Sequence, residues 1–357
     1  EKLNKKLSYS LPHTIYPVQS MRRNLIRKAQ CHGGWDWGPC IMVSGIYGDI
    51  YLASSSTGRI EYVTTETSPL SSHSKIEIKN KLSMNKWVVT VKVEYFSYRE
   101  IDIDLFIQLA HTEITKKVHV NSGVNVFTEK LLIDDIKLWW PSGCGEQNLY
   151  ELTVKAGTEN ITKEIGFRTI EVIAEDDEIG RSMIFRVNGR DIFIKGTNWI
   201  PMDALPLRET KEHYEQLLRD VVAANMNMVR VWGGGKYESD YFYELCDRFG
   251  LLIWQDFMFS CALYPSDKVF LKNVEEEIKH QVKRLKDHPS IALWCGNNEV
   301  LGALKWFKES IKNRDRYIVD YDRLYEGVIA RAVAENDHLR TWWSSLPSGG
   351  PQDYSDA

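Results

Sequence analysis

Between residues 193 and 346 the chain alternates five short, mainly apolar runs with longer segments of helical spacing. No other feature restricts the fold as severely. The runs fall at 193–199, 226–232, 251–256, 291–294 and 341–346. Between them, Tyr214, Leu217, Leu218, Val221 and Val222 repeat at helical spacing behind a capping Thr210. Ser239 opens a second helical segment bearing Phe242, Leu245, Cys246 and Phe249, and Gly250 ends it. Val274, Ile278, Val282 and Leu285 form the stripe of a third, and Leu324, Val328, Ile329, Ala332 and Val333 that of a fourth. Strand and helix in alternation, joined by short loops, predict a parallel α/β arrangement. A doubly wound sheet and a (β/α)8 barrel are the two forms it takes.

The ends of the runs favour the barrel. No Gly-x-Gly-x-x-Gly opens a helix, so nucleotide binding has no support. Each strand instead finishes in hydrogen-bonding groups: Asn198, Arg230, Gln255 with Asp256, and Asn297 with Asn298 and Glu299. A ring of polar groups at several strand ends is how a barrel builds a site. The stretch Ile291-Ala-Leu-Trp-Cys-Gly-Asn-Asn-Glu299 is its centre, a buried strand that delivers a carboxylate just past its end. Glutamate also occurs in first helical turns merely because the dipole favours an anion there. Arg230 and Asp256 read equally as a pair locking two strand ends and as ligand contacts.

Ahead of the barrel the pattern has period two. Residues 57–172 hold regular short strands, clearest at 87–93 and 101–109, as in an immunoglobulin-like sandwich. Trp139 and Trp140 read as packing between domains. Residues 1–56 read as the end of a further β domain, with strand-like runs at 24–29 and 46–52. Between these lies Cys31-His-Gly-Gly-Trp-Asp-Trp-Gly-Pro-Cys40. It is either a structural tryptophan corner or a loop that carries Trp35 and Asp36 into a neighbour's pocket. An aromatic plane beside a carboxylate matches a sugar, which has an apolar CH face and vicinal hydroxyls. Cys31 and Cys40 are placed to pair across this loop, while Cys246 and Cys295 read as buried thiols.

The charge of −4 carries no nucleic-acid or membrane-surface signature, and no apolar run is long enough to span a bilayer. The cysteine and histidine spacings fit no metal motif, so no metal or cofactor is expected. The charged start, Glu1-Lys-Leu-Asn-Lys-Lys, holds no signal core and reads as the interior of a longer precursor. Asn160-Ile-Thr162 is a glycosylation sequon.

These residues resemble glycoside hydrolase family 2. Pro289-Ser-Ile-Ala-Leu-Trp-Cys-Gly-Asn-Asn-Glu299 is similar to the family segment bearing the acid/base. Gly33-Gly-Trp-Asp-Trp-Gly-Pro39, Lys195-Gly-Thr-Asn-Trp-Ile-Pro-Met-Asp-Ala204 and Trp254-Gln-Asp-Phe-Met-Phe259 narrow the resemblance to its animal lysosomal β-mannosidases. The resemblance implies a multidomain β plus α/β chain. Residues 1–56 would end a sugar-binding jelly-roll sandwich, 57–172 form the immunoglobulin-like sandwich, and 173–346 the first half of a (β/α)8 TIM barrel; 347–357 would be a disordered tail. It implies exo-acting, retaining removal of terminal β-D-mannose from glycoprotein-derived oligosaccharides in the lysosome. Glu299 takes the acid/base role and Asn298 the sugar 2-hydroxyl. Trp35 and Asp36 reach the terminal mannose, with Asn198, Arg230 and Asp256 around it. Other family 2 activities, on β-galactosides or β-glucuronides, and a non-catalytic sugar-binding fragment are the alternatives.

Retention needs two carboxyls about 5–5.5 Å apart. The family's nucleophile lies at the end of the seventh barrel strand, and this sequence holds no Ser-Glu-aromatic-Gly segment like it. Glu335, on a helical stretch, is a poor substitute. The chain is therefore expected to lack ordinary turnover, and to fold poorly alone because a half barrel leaves a strand edge open.

Overall fold

The computed structural model describes residues 7, 9, 11–12, 22–46, 48, 50–70, 86–350 and 353–354. Seven antiparallel strands form a two-sheet sandwich. They are β1 (Gly58–Pro69), β2 (Trp87–Ser97), β3 (Ile101–Leu109), β4 (Thr112–Val120), β5 (Gly123–Ile133), β6 (Tyr150–Ala156) and β7 (Glu159–Ile165). One sheet has the order β1-β2-β5 and the other β4-β3-β6-β7. Alternation dictates the packing. Along β2 every second residue from Trp87 to Ser97 is buried, and these side chains meet those of β3 and β6 in one apolar core.

A small antiparallel sheet follows: β8 (Ile170–Ile173), β9 (Ile184–Val187) and β10 (Arg190–Ile192). Periodicity did not announce it, because these strands are only three or four residues long. Phe185, Val187 and Ile192 share a core with Trp139, Leu252, Trp254 and Leu293, so this sheet lies under the next layer. Trp139 is fully buried there and its indole donates to the Asp247 carbonyl at 2.8 Å, so it packs the sandwich onto the barrel strands.

The five apolar runs are all parallel strands: β11 (Gly196–Trp199), β12 (Met228–Val231), β13 (Leu252–Asp256), β14 (Ile291–Cys295) and β15 (Thr341–Trp343), side by side in that order. β13 and β14 are buried at every position, as central strands covered on both faces must be. The helices α1 (Lys211–Ala223), α2 (Asp240–Phe249) and α3 (Lys268–Leu285) connect the first four strands. Their ends are coded locally. The Thr210 hydroxyl accepts from the His213 amide, and Asp267 accepts from Val269 and Phe270. Gly250 ends α2 in the left-handed region at φ 72°. A helical stretch from Arg314 to Asn336, π-helical over Asp322–Ile329, leads to β15.

Three expectations need correction. The runs at 24–29 and 46–52 form no strand among the described residues: Arg23–Leu25 is a 3-10 turn, and Ile50, Tyr51 and Leu52 stand exposed with no neighbouring strand, while residues 47 and 49 lie outside the described residues. A strand needs a partner for its backbone groups, and nothing described here offers one. The Cys31–Cys40 pair is absent: both are free thiols, Cys31 buried against Trp35, Trp232 and Cys261 while Cys40 is only half-buried. The tail after 346 is held where it is described. The Ser344 hydroxyl donates to Gly350, and Tyr354 packs on Tyr321 and bonds Asp322. Residues 351–352 and 355–357 lie outside the described residues.

Asp337 supports β14 from below. Its Oδ2 accepts from the Trp294 indole at 2.9 Å and from Arg340 at 2.7 Å, and Arg340 in turn bonds the Ile291 and His288 carbonyls. Burial works to raise this carboxyl, yet the Arg340 charge, the indole and Lys286 outweigh it and hold the group below its usual range. A depressed carboxylate stabilises the fold above its unfolded pKa and loses that contribution as pH falls through the folded value. Asp337→Asn should cost about 1.5–3 kcal/mol near neutral pH, the worth of hydrogen bonds made to a charged group. In urea titrations across pH, its gap to the parent protein should close on acidification below the ordinary carboxylate range. A gap that stays constant with pH would show that Asp337 acts by shape alone.

Candidate active site

β14 ends at Cys295, but its backbone keeps pairing. Asn298 forms parallel bridges to Ser260 on one side and Leu346 on the other. Its amide donates to the Phe259 carbonyl at 3.0 Å, and its carbonyl accepts from Cys261 at 2.9 Å. The Glu299 amide donates to Leu346 at 2.7 Å. The Asn297 side chain ties the same strand end to Ser344, Ser345 and Val300. Glu299 is left half-buried at φ 60°, in the left-handed region that costs a residue with a Cβ about 1 kcal/mol or more. It precedes α4 (Val300–Ala303), a helix of four residues, so dipole stabilisation is a poor account of the carboxylate here.

Arg230 and Asp256 form a pair. Arg230 donates to both Asp256 oxygens, at 3.2 and 2.6 Å, and also reaches Asn298 Oδ1 at 2.9 Å and Asn198 Oδ1 at 3.4 Å. Asp256 is fully buried and further accepts from the Gly233 amide and the Trp254 indole. Burial would lower the Arg230 pKa, but the charges of Asp256 and its neighbours overcome this and raise it. These two residues pair with each other, and the pair also fixes Asn298: with Oδ1 taken by Arg230, Nδ2 faces Ser260 and Cys261, both at 3.3 Å. Asn198, on β11 at the sheet edge, stays exposed.

The glycine-rich loop comes to the same strand ends. The Cys31 amide donates to the Gly234 carbonyl at 2.8 Å. Trp35 is buried edge-on against Trp232, with ring centroids 4.9 Å apart, and exposed Trp37 meets the same ring at 5.7 Å. Trp232 folds back so far over Gly234 that a Cβ there would lie 1.8 Å from the indole, so only glycine fits. Arg23 sits over Trp35 and donates to the Ser260 carbonyl at 3.1 Å, seating the segment on the loop after β13. Asp36 is exposed beside this aromatic group.

Sequence reading missed Cys261, Trp232 and Trp306. Trp232 and Trp306 pack on the cluster of Cys31, Trp35 and Cys261, and the Cys261 sulfur lies 3.1 Å from Glu299 Oε2. Trp232 was legible as the end of the apolar run 226–232, just past β12; Cys261 follows β13 by five residues and Trp306 lies beyond α4, with no periodic signal. Asn160 lies on β7 and is exposed. Among the described residues no cluster of His, Cys, Asp and Glu is placed to hold a metal, and no helix is long and apolar enough to cross a membrane. A cavity of about 1040 Å³ lies between the segment from Arg27 to Gly48 and the region of Glu209, Tyr214 and Lys236; Met258, two residues past β13, reaches it, whereas Asn298 and Glu299 do not line it.

This domain order matches that of one family. Residues 1–48 match the galactose-binding domain-like region of glycosyl hydrolase 2, residues 72–168 the glycosyl hydrolases family 2 domain, and residues 179–334 the TIM barrel domain of that family. The chain thus carries the three-domain arrangement of glycosyl hydrolases family 2. Within that family it resembles the β-mannosidases. It is 39% identical to β-mannosidase of Capra hircus, over 95% of this chain and 39% of that protein, and 38% identical to that of Bos taurus over the same shares. A solved β-D-mannosidase of Dictyoglomus thermophilum superposes with a TM-score of 0.85 at 32% identity, covering 99% of this chain and 42% of that one. An exo-chitosanase of Amycolatopsis orientalis (TM-score 0.63, 19% identity) shares the fold over 82% of this chain and 33% of its own. The chain therefore spans about two fifths of the length of its β-mannosidase relatives.

Removing one member of the buried ion pair strands the other. Asp256→Ala should lower stability by about 3–5 kcal/mol, whereas the double change Asp256→Leu with Arg230→Met should cost much less. Chemical denaturation of the three proteins measures this. Equal losses in the single and double variants would mean the pair is not coupled.

Proposed function

We propose that this chain supplies the sugar-recognition and acid/base side of an exo-acting, retaining β-mannosidase. The observation that carries the reading is the placement of Glu299. It is held by backbone bonds on both sides at the end of a fully buried barrel strand, next to an oriented Asn298. Glu299 is assigned as the acid that protonates the departing glycosidic oxygen and as the base that then activates water. Asn298 is assigned to the sugar 2-hydroxyl, which is axial in mannose. Trp35, Trp37 and Trp232 supply an aromatic wall, and Asp36 the hydrogen-bonding group for a terminal sugar. Asn198 and the Arg230–Asp256 pair complete the rim and hold Asn298 in place. The similarity to animal β-mannosidases extends the proposal to terminal β-mannose of glycoprotein oligosaccharides, to the lysosome and to a glycosylated Asn160.

The nucleophile is assigned outside the residues gathered here. Of the acidic groups brought near Glu299, Asp256 is already neutralised by Arg230 and capped by two N–H donors, and Asp36 is assigned to the sugar hydroxyls. Without a second free carboxylate no glycosyl-enzyme forms.

The test pairs binding with turnover on a panel of aryl β-glycosides. The chain should bind the β-mannoside in preference to the β-galactoside and β-glucuronide, read by quenching of tryptophan fluorescence. Asp36→Ala and Asn298→Ala should each weaken binding about tenfold or more, the worth of a hydrogen bond to a buried polar group. Turnover should be absent. Turnover that Glu299→Gln removes would place a nucleophile within these residues and overturn its assignment elsewhere. Equal binding of the three sugars, or none, would overturn the mannoside reading.

A further inference from the structure

Cys261 follows β13 by five residues and has no part in the proposed chemistry so far. Its backbone is held at φ 49°, in the left-handed region, where a residue with a Cβ is retained only under constraint from its surroundings. Those surroundings are specific. The Cys261 amide donates to the Asn298 carbonyl, which fixes the residue's backbone beside the strand end. Its sulfur, on a residue only 2% exposed, lies 3.1 Å from Glu299 Oε2, 3.3 Å from Asn298 Nδ2 and 3.3 Å from Ser260 Oγ.

Donor and acceptor counting assigns each contact. The Asn298 amide has only hydrogens to offer at Nδ2, so sulfur accepts there, and Ser260 Oγ donates to sulfur as well. A carboxylate at Glu299 offers only acceptors, and in that state the thiol S–H donates to Oε2. A thiolate would put a second negative charge against that carboxylate and would lose the bond. Burial, with the Glu299 charge adding to it, pushes the Cys261 thiol up to about 12, so it keeps its proton throughout the range in which a glycosidase works.

We infer that Cys261 is a positioning residue: its S–H holds the Glu299 carboxylate, and its sulfur holds the Asn298 amide, linking the two groups assigned to the sugar. The role given to Glu299 rests on the proposed function; the thiol–carboxylate bond does not. One continuous line then runs from Asp256 through Arg230 and Asn298 to Cys261 and Glu299. Serine would keep a donor on a shorter reach, and alanine would leave Oε2 without it.

Two measurements on this chain test the inference. The first is the infrared S–H stretch, assigned to Cys261 by its loss in Cys261→Ser. It should move to higher frequency in Glu299→Gln, because an amide oxygen accepts more weakly than a carboxylate. An unmoved band would overturn the inference. The second uses two probes, D-mannose and mannoimidazole, whose ring nitrogen takes a proton from a laterally placed acid. Cys261→Ala should weaken mannoimidazole about tenfold, the worth of one hydrogen bond to a charged group, while changing mannose far less. Cys261→Ser should recover most of the loss. Equal weakening of both probes would mean that Cys261 only fills space, and would overturn the positioning role. If neither probe binds the parent chain, the sugar-processing reading fails, and the S–H band still decides whether the thiol holds Glu299.

Discussion

Everything at the candidate site depends on backbone pairing that continues past the end of a strand. Side chains stop being regular after Cys295, yet the main chain from Asn297 to Glu299 still exchanges hydrogen bonds with 259–261 and with Leu346. Two loops, one after β13 and one after β15, serve as edge partners for a third. A loop with free backbone groups in this buried place would leave them without water, at a cost of about 1–3 kcal/mol each. The pairing removes that cost and also overdetermines the geometry. Asn298 and Glu299 have little torsional freedom left, and Glu299 is retained in a left-handed conformation that a free loop would leave. A carboxylate held this way loses little entropy when a ligand arrives, which is the physical content of preorganisation.

The Arg230–Asp256 pair does a different task. A buried ion pair contributes little net stability, because desolvation offsets most of the attraction. Its value here lies in direction. Asp256 is saturated by four N–H donors, two of them from Arg230, and Arg230 is oriented by it, so its Nη2 also donates to Asn298 Oδ1. An asparagine amide has two chemically opposite ends and would otherwise flip freely. Here the flip is fixed at both ends, with Oδ1 accepting from Arg230 and Nδ2 directed at Ser260 and Cys261.

Much of the fold was legible in the sequence wherever burial is periodic or an element end is coded locally. The strands at 87–97 and 101–109 alternate cleanly, Thr210 and Gly250 mark helix ends, and β13 and β14 are apolar enough to require cover on both faces. Glu299 and Asn298 stood out because polar residues directly after a buried strand have few structural reasons to be there. Other features were hidden for stated reasons. The strands of 170–192 are shorter than any period can reveal, and their burial comes from Trp139 and Trp254 far along the chain. The runs at 24–29 and 46–52 have strand composition, but composition supplies no pairing partner. Cysteine spacing suggested a bridge between Cys31 and Cys40, while packing sends Cys31 inward to Trp232. Cys261 carried no pattern at all, since its role arises from a meeting of two loops 38 residues apart.

The loop of residues 31–40 shows why recognition and domain docking belong together in this chain. Trp35 is buried against Trp232, a residue of the barrel, and edge-on aromatic pairs of this kind contribute about 1 kcal/mol beyond their burial. Cys31 pairs its backbone with Gly234, and Arg23 bonds the Ser260 carbonyl. Each of these contacts reaches the segments that also position Asn298 and Glu299. A shift of the N-terminal segment would therefore move the aromatic wall and the 259–261 backbone that clamps the strand end. The aromatic group at this interface cannot be tuned independently of the interface, because Trp35 and Trp232 are also the residues that dock the segment.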